Sequence, residues 1–246
     1  MRFRNDYLTI AALCVGTLAF CSQTAFSAIF PVKPIAVDAL NKKPKNIPKG
    51  YVYLNADLDG SKNEVAETNM GDLIADIVRD ASQADFALVS AADILPVKIT
   101  KGVHPIGEIV QTLHYGNDAG DTITILNIKG SQLIGASERS LSREPSPFGG
   151  FLQVSGLEIR FDASRPEGER VKIFGTGGVE IAPSKVYRIA TTKSVAEGAF
   201  GYFKMWGKED AVKSPDDGAT IAKAVTDYIA KHNDICPVVE GRIKGL

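Results

Sequence analysis

Histidine is scarce in this sequence. The 246 residues hold three, His104, His114 and His232. A dinuclear hydrolytic centre needs Asp, His and Asn ligands clustered around two cations about 4 Å apart. None of the three histidines falls in such a pattern, which excludes an autonomous two-metal site. His104 precedes Pro105 and reads as a loop residue, while His232 closes a predicted helix, where it suits the dipole. Cysteine is equally rare: Cys14, Cys21 and Cys236. The first two lie in an N-terminal segment read below as removed, so no internal disulfide can form. Cys236 is expected to be a buried small hydrophobe rather than an intermolecular link. Neither charge sign is in excess: 28 Lys and Arg against 29 Asp and Glu give a net charge of -1. No basic face is evident, so neither nucleic acid nor an anionic membrane is an expected partner. Gly175-Thr176-Gly177-Gly178 is not followed by Lys-Ser/Thr, which excludes a P-loop. Val154-Ser155-Gly156 lies within an alternating strand pattern and lacks the strand–turn–helix elbow of a serine hydrolase.

What is present fits one globular domain with appendages. Hydrophobic residues make up 44% of the chain, enough for a core that needs no disulfides at this length. Arg2 and Arg4, the apolar run Leu8 to Phe20, and Ala25-Phe26-Ser27 read as a secretory signal cleaved near Ser27–Ala28. The run is short for a transmembrane helix. The alternative is an uncleaved anchor; the signal reading implies a secreted or periplasmic protein with no stable membrane insertion after cleavage. Residues 29–50 carry Pro31, Pro34, Pro44 and Pro48 among five lysines and read as an extended linker or arm. The folded domain is expected over 51–246. Asp57-Leu58-Asp59-Gly60 with Glu64 superficially suggests a calcium loop, but the Gly and Glu come too early, so a turn is expected.

Apolar spacing predicts helices over 71–81, from Ile106 through Leu113, from Gly130 through Leu141, and from Ile221 through Ile229. Thr68 is a candidate N-cap for the first, and Glu67 a residue that caps or braces it. Strands are expected over 86–89, 122–128, 171–174 and 186–190, with one long strand from Phe151 to Phe161. Gly175–Gly178 is expected to be a hairpin turn. Helices mixed with alternating strands indicate an α+β or α/β single domain.

Six blocks in order carry a further signal: Glu67 to Asp76, Ala84 to Leu95, His114-Tyr115-Gly116-Asn117, Gly130-Ser131-Gln132-Leu133, Phe151 to Leu157, and Tyr187 to Tyr202. Together they resemble the C-terminal, substrate-recognition domain of the 5'-nucleotidase family, over most of Asp57 to Gly207. The resemblance implies a mixed β-sheet with flanking helices. It also implies a nucleoside site in which the base stacks between two aromatic rings, helped by an Asn and an Arg from an Asn-Gly-Gly-Gly-Ile-Arg loop and by a Gly-Gly-Asp-Gly turn. The family's metallophosphatase domain has no counterpart in these blocks. No cofactor is therefore expected in this chain, and a divalent metal only in a separate phosphatase subunit.

Most of the implied contacts are altered. Ser90 stands at the Asn, Leu95 at the Arg, and Asp93 adds a carboxylate expected to repel phosphate. Tyr115 keeps the first stacking position in kind, Asn117 follows in the same block, and Ser194 occupies the second. Phe200 replaces the Asp of the Gly-Gly-Asp-Gly turn. Phe200, Tyr202, Phe203 and Trp206 offer a substitute ring, although packing is the expected role. Losing a charged hydrogen bond (~1.5–3 kcal/mol) and a stacking face (~1–3 kcal/mol) lowers affinity by about two to four decades. Three readings follow: a secreted domain that binds a nucleoside-, nucleotide-like or altered ligand without hydrolysing it; the substrate-binding half of a hydrolase that meets a separate metallophosphatase subunit; or an interaction protein with a vestigial pocket.

Overall fold

The computed structural model describes residues 43–114, 122–212 and 219–246. The chain opens with β1 (Tyr51–Leu54), β2 (Leu58–Asp59) and α1 (Asn69–Ser82), then β3 (Phe86–Ser90), β4 (Lys98–Ile99), β5 (Gly102–Pro105) and α2 (Ile106–Val110). The middle holds β6 (Ile123–Lys129), α3 (Gly130–Ser140), β7 (Leu152–Ser155), β8 (Leu157–Phe161), β9 (Val171–Gly175), β10 (Val186–Thr192) and α4 (Lys193–Ala196). It ends with β11 (Ala211–Val212), α5 (Ile221–Lys231), β12 (Asp234–Ile235) and β13 (Ile243–Gly245). The class is α+β, as expected.

A five-stranded sheet in the order β11-β6-β10-β3-β7 forms the centre. Strands β3 and β10 run parallel, with Thr191 opposite Leu88, and the other pairs are antiparallel. One apolar cluster joins α1, α5 and one face of the sheet through Ile74, Ile77, Val89, Ile125 and Val225. A second lies on the other face, where Leu88, Leu126, Leu133, Val154 and Ile189 meet the aromatic pair Tyr202 and Trp206. With both faces covered, β3 is buried at all five residues, which is why it reads as an unbroken apolar run.

Helix α1 starts where the sequence places it. The Thr68 hydroxyl accepts from Gly71 N at 3.0 Å, satisfying one of the otherwise unpaired amides of the first turn. Gly71 has a packing reason. A Cβ there would stand 2.2 Å from Gln153 Oε1, and buried Gln153 accepts from Thr68 N and donates to Asn63 O and Ala66 O. Helix and sheet edge are pinned through that one amide.

Three expectations need correction. The stretch 151–161 is two strands in two sheets, broken at Gly156, whose φ of 76° suits glycine. A Cβ there would also lie 2.9 Å from Asp85 O. His104 lies in β5 opposite Val52, not in a loop. Cys236 is exposed, because it follows the two-residue edge strand β12 at the rim of its sheet. The Glu67 carboxylate lies beside Asp72 in the first turn of α1 and also accepts from Gly241 N at 2.7 Å and Ile243 N at 2.8 Å, tying down the C-terminal segment. Gly175–Gly178 is a hairpin turn as expected: Phe174 pairs antiparallel with Glu180, Gly175 N donates to Val179 O and Ile181 N to Ile173 O, and the chain then runs on to β10 in the central sheet. The 57–64 segment is a turn as expected, with the Asp59 carboxylate accepting from Ser61 N.

Candidate functional site

The parallel pair β3 and β10 ends on one edge of the central sheet. In sheets of this kind a crevice forms beyond the carboxyl ends of the parallel strands. Beyond Ser90 the chain makes a single 3-10 turn, Ala91–Asp93. Beyond Thr192 it enters α4, with the Thr192 hydroxyl accepting from Val195 N. Those two exits bring together residues about a hundred positions apart. Ser90 Oγ donates to Asp93 Oδ2 at 2.6 Å, Ser194 Oγ contacts Asp93 Oδ1 at 3.5 Å, and Ser194 Oγ lies 3.1 Å from Thr192 Oγ1. Asp93 is 3% exposed. Burial raises its carboxyl pKa, against the hydrogen bonds from Ser90, Thr192 and Ser194, which favour the ionised form.

Tyr115 and Asn117 lie outside the described residues. The described chain stops at His114 and resumes at Thr122, and both ends are fastened to the same cluster. His114 N donates to Asp93 O at 2.9 Å, and Lys193 N donates to Thr122 O at 3.0 Å.

Phe200 stands on the adjoining wall. Its ring meets Phe148 edge-on at 6.1 Å and reaches Gly149, where a Cβ would be 3.3 Å from both Phe200 Cε1 and Ala92 Cβ. Ala92 N donates to Gly149 O, so this wall is continuous with the Asp93 turn. Phe200 has φ of 57°, a conformation that is uncommon away from glycine and tends to persist where surroundings enforce it. The enforcement is visible: Arg139 Nε donates to Phe200 O at 2.7 Å, and the guanidinium lies 4.7 Å from the Phe148 centroid. Tyr202 and Trp206 stack at 5.3 Å, with Tyr202 Oη donating to Gly150 O and Trp206 Nε1 to Val195 O. They pack, as expected, and burial pushes the Tyr202 phenol upward.

The structure therefore gathers Ser90, Asp93 and Ser194 and sets Phe200 beside them. Sequence reasoning missed Thr192, Phe148 and Arg139. Of these, Phe148 has a legible signal: it directly precedes Gly149-Gly150, and paired glycines mark close approach of a neighbour. Among the described residues, no group of His, Cys, Asp and Glu side chains is placed to hold a metal ion. Nor is any described helix long and apolar enough to cross a membrane.

Comparison with known proteins returns one family, described as 5'-nucleotidase, C-terminal domain, matching residues 45–208. The trifunctional nucleotide phosphoesterase protein YfkN of Bacillus subtilis (strain 168) is 32% identical over 204 residues, covering 78% of this chain and 13% of that protein. The 5'-nucleotidase of Diplobatis ommata is 29% identical over 217 residues, covering 80% of this chain and 36% of that protein. The crystal structure of the 5'-nucleotidase precursor from Thermus thermophilus superposes with a TM-score of 0.69 at 28% identity, over 79% of this chain and 39% of that one. The chain thus spans well under half the length of these relatives.

Proposed function

The chain belongs to the 5'-nucleotidase C-terminal-domain family, and from that premise we propose that it is a secreted recognition domain that binds a nucleoside- or nucleotide-like ligand without hydrolysing it. The ligand lies at the Ser90–Asp93–Ser194 edge. One observation supports this reading: described residues on either side of 115–121 bond into this edge, His114 N donating to Asp93 O and Lys193 N, next to Ser194, donating to Thr122 O. Tyr115 supplies the stacking face, Asn117 and the Ser90 and Ser194 hydroxyls supply polar contacts, and Phe200 supplies an apolar wall. Hydrolysis of a phosphoester held there requires a metallophosphatase subunit acting in trans.

Tyr115→Ala is expected to weaken binding of adenosine or AMP about tenfold or more, the worth of one stacked base, while the melting temperature stays nearly unchanged. Calorimetry and thermal unfolding on the same preparation check this. Unchanged affinity with a large stability loss would make Tyr115 a core residue instead. Export is part of the proposal: the protein recovered from the periplasm or culture fluid should begin near Ala28. An intact Arg2–Arg4 terminus on the exported protein would count against the signal reading.

A further inference from the structure

A second cavity, of about 600 Å³, lies between α3 and the stretch Gly201–Met205. Its size is that of pockets that enclose small organic ligands, about 300–1,000 Å³. The Ser90–Asp93–Ser194 cluster contributes no residue to it. Ile134 and Met205 give it apolar surface, and Met205 sits close because residue 135 is glycine: a Cβ there would be 2.8 Å from Met205 Sδ.

Two further features give the cavity its chemistry. The first is Phe203, 66% exposed although its neighbours Tyr202 and Trp206 are buried. Its backbone N donates to Gly198 O, which fixes the base of an aromatic side chain left open at the cavity. The second is Arg139. Its Nε is held by Phe200 O, its Nη1 by Ser142 Oγ at 3.2 Å, and its face by the Phe148 ring. It also packs on Gly201, where a Cβ would come within 3.3 Å of Nη2. Among the described residues neither Arg139 nor Lys204, the other cation of the cavity, makes an ion pair. The Glu138 carboxylate does not supply one. It accepts from Gly168 N, Arg170 N and Val171 N at 3.1, 2.5 and 2.9 Å. Glu167 stands on the exposed loop at the rim.

We propose that this cavity is a binding site for a small aromatic anion, a ring bearing one carboxylate or phosphate group. The ring lies against Phe203 and the Ile134–Met205 surface. The anionic group meets the Arg139 fork, preorganised by its other contacts, and the Lys204 ammonium. The site is independent of the nucleoside site proposed above.

The test titrates the whole protein with phenyl phosphate and, separately, benzoate, followed by saturation-transfer NMR and calorimetry. Saturable binding at submillimolar to millimolar ligand is expected for at least one probe. Phe203→Ala and Lys204→Ala, both exposed and so without consequence for folding, should each weaken it about tenfold, and Ser194→Ala should leave it unchanged. Absence of saturable binding overturns the proposal. So does binding that survives Phe203→Ala and Lys204→Ala but is lost in Ser194→Ala, which would assign the anion to the nucleoside site.

Discussion

Replacing Arg242 by alanine is expected to destabilise the protein by about 3–5 kcal/mol, the usual cost of breaking a buried ion pair. Arg242 is 9% exposed and sits where the C-terminal segment crosses α1 and β7. Its Nη2 pairs with Asp76 Oδ2 at 2.7 Å and Glu240 Oε2 at 3.0 Å, while Nη1 donates to Val154 O at 2.7 Å and Asp72 O at 3.4 Å. Truncation removes the donor from the buried Val154 carbonyl and the counter-charge from an acidic cluster. The chain around it is held by the same acids: Glu67 takes Gly241 N and Ile243 N, and Asp72 takes Glu240 N. Loss of Arg242 should therefore release β13 from β8, whose Ile159 N bonds Arg242 O. For a domain of this size the melting temperature should fall about 6–20 °C. Urea unfolding of the two proteins measures the difference. A shift under about 1 kcal/mol would place Arg242 among surface ion pairs of little worth and contradict the description of a buried clasp.

Asp72→Asn should have the opposite sign in alkali. Asp72 is 2% exposed. Burial, followed by the neighbouring Glu67 carboxylate, pushes its carboxyl from 3.8 up to about 8, although Arg242 pulls the other way. Its Oδ1 takes part in no hydrogen bond and lies 3.7 Å from Arg242 Nε. Between pH 4 and about 8 the folded state holds a proton that the unfolded chain has released. Stability from this group is thus full below pH 4 and falls as pH rises towards about 8, by up to about 5 kcal/mol. An asparagine at this position cannot ionise, and its amide offers NH₂ to Glu67 and oxygen to Glu240 N. The variant should match the parent near pH 4 and exceed it at pH 8, with a flatter curve between. Asp93, also shifted upward by burial, leaves a residual slope of the same sign. Melting temperatures across that range decide the matter. Parallel curves for the two proteins would mean that Asp72 is ionised in the fold.

Which parts of this molecule can be read from its residues follows from the range of the interactions involved. Helix α1 is legible because its signals are local: Thr68 at the cap and Leu73, Ile74, Ile77 and Val78 on one face. The strands are legible as apolar runs, but their partners are not. Along 151–161 the apolar positions shift from 152 and 154 to 157, 159 and 161 across Ser155-Gly156, and that change of parity marks the point where the chain leaves one sheet for another. Cys236 reads as buried by residue type alone, whereas its exposure is decided by its place just past the edge strand β12. The Ser90–Asp93–Ser194 contact joins positions 101 residues apart in sequence between Asp93 and Ser194. It is reachable only through the resemblance, which names the positions without saying that they touch. The Arg242 clasp has no signal at all, since an arginine four residues from the last residue, Leu246, reads as an ordinary surface charge.

The central claim is that the Ser90–Asp93–Ser194 edge receives a nucleoside-like ligand and that this chain does not itself cleave it. Calorimetric titration of the protein with adenosine and AMP, with inorganic phosphate assayed in the same cell, tests both halves at once. The account predicts saturable binding at micromolar to millimolar ligand, sensitive to Tyr115→Ala and insensitive to Phe203→Ala, with no phosphate released. No heat at millimolar ligand, or phosphate liberated from AMP by this chain alone, would contradict it.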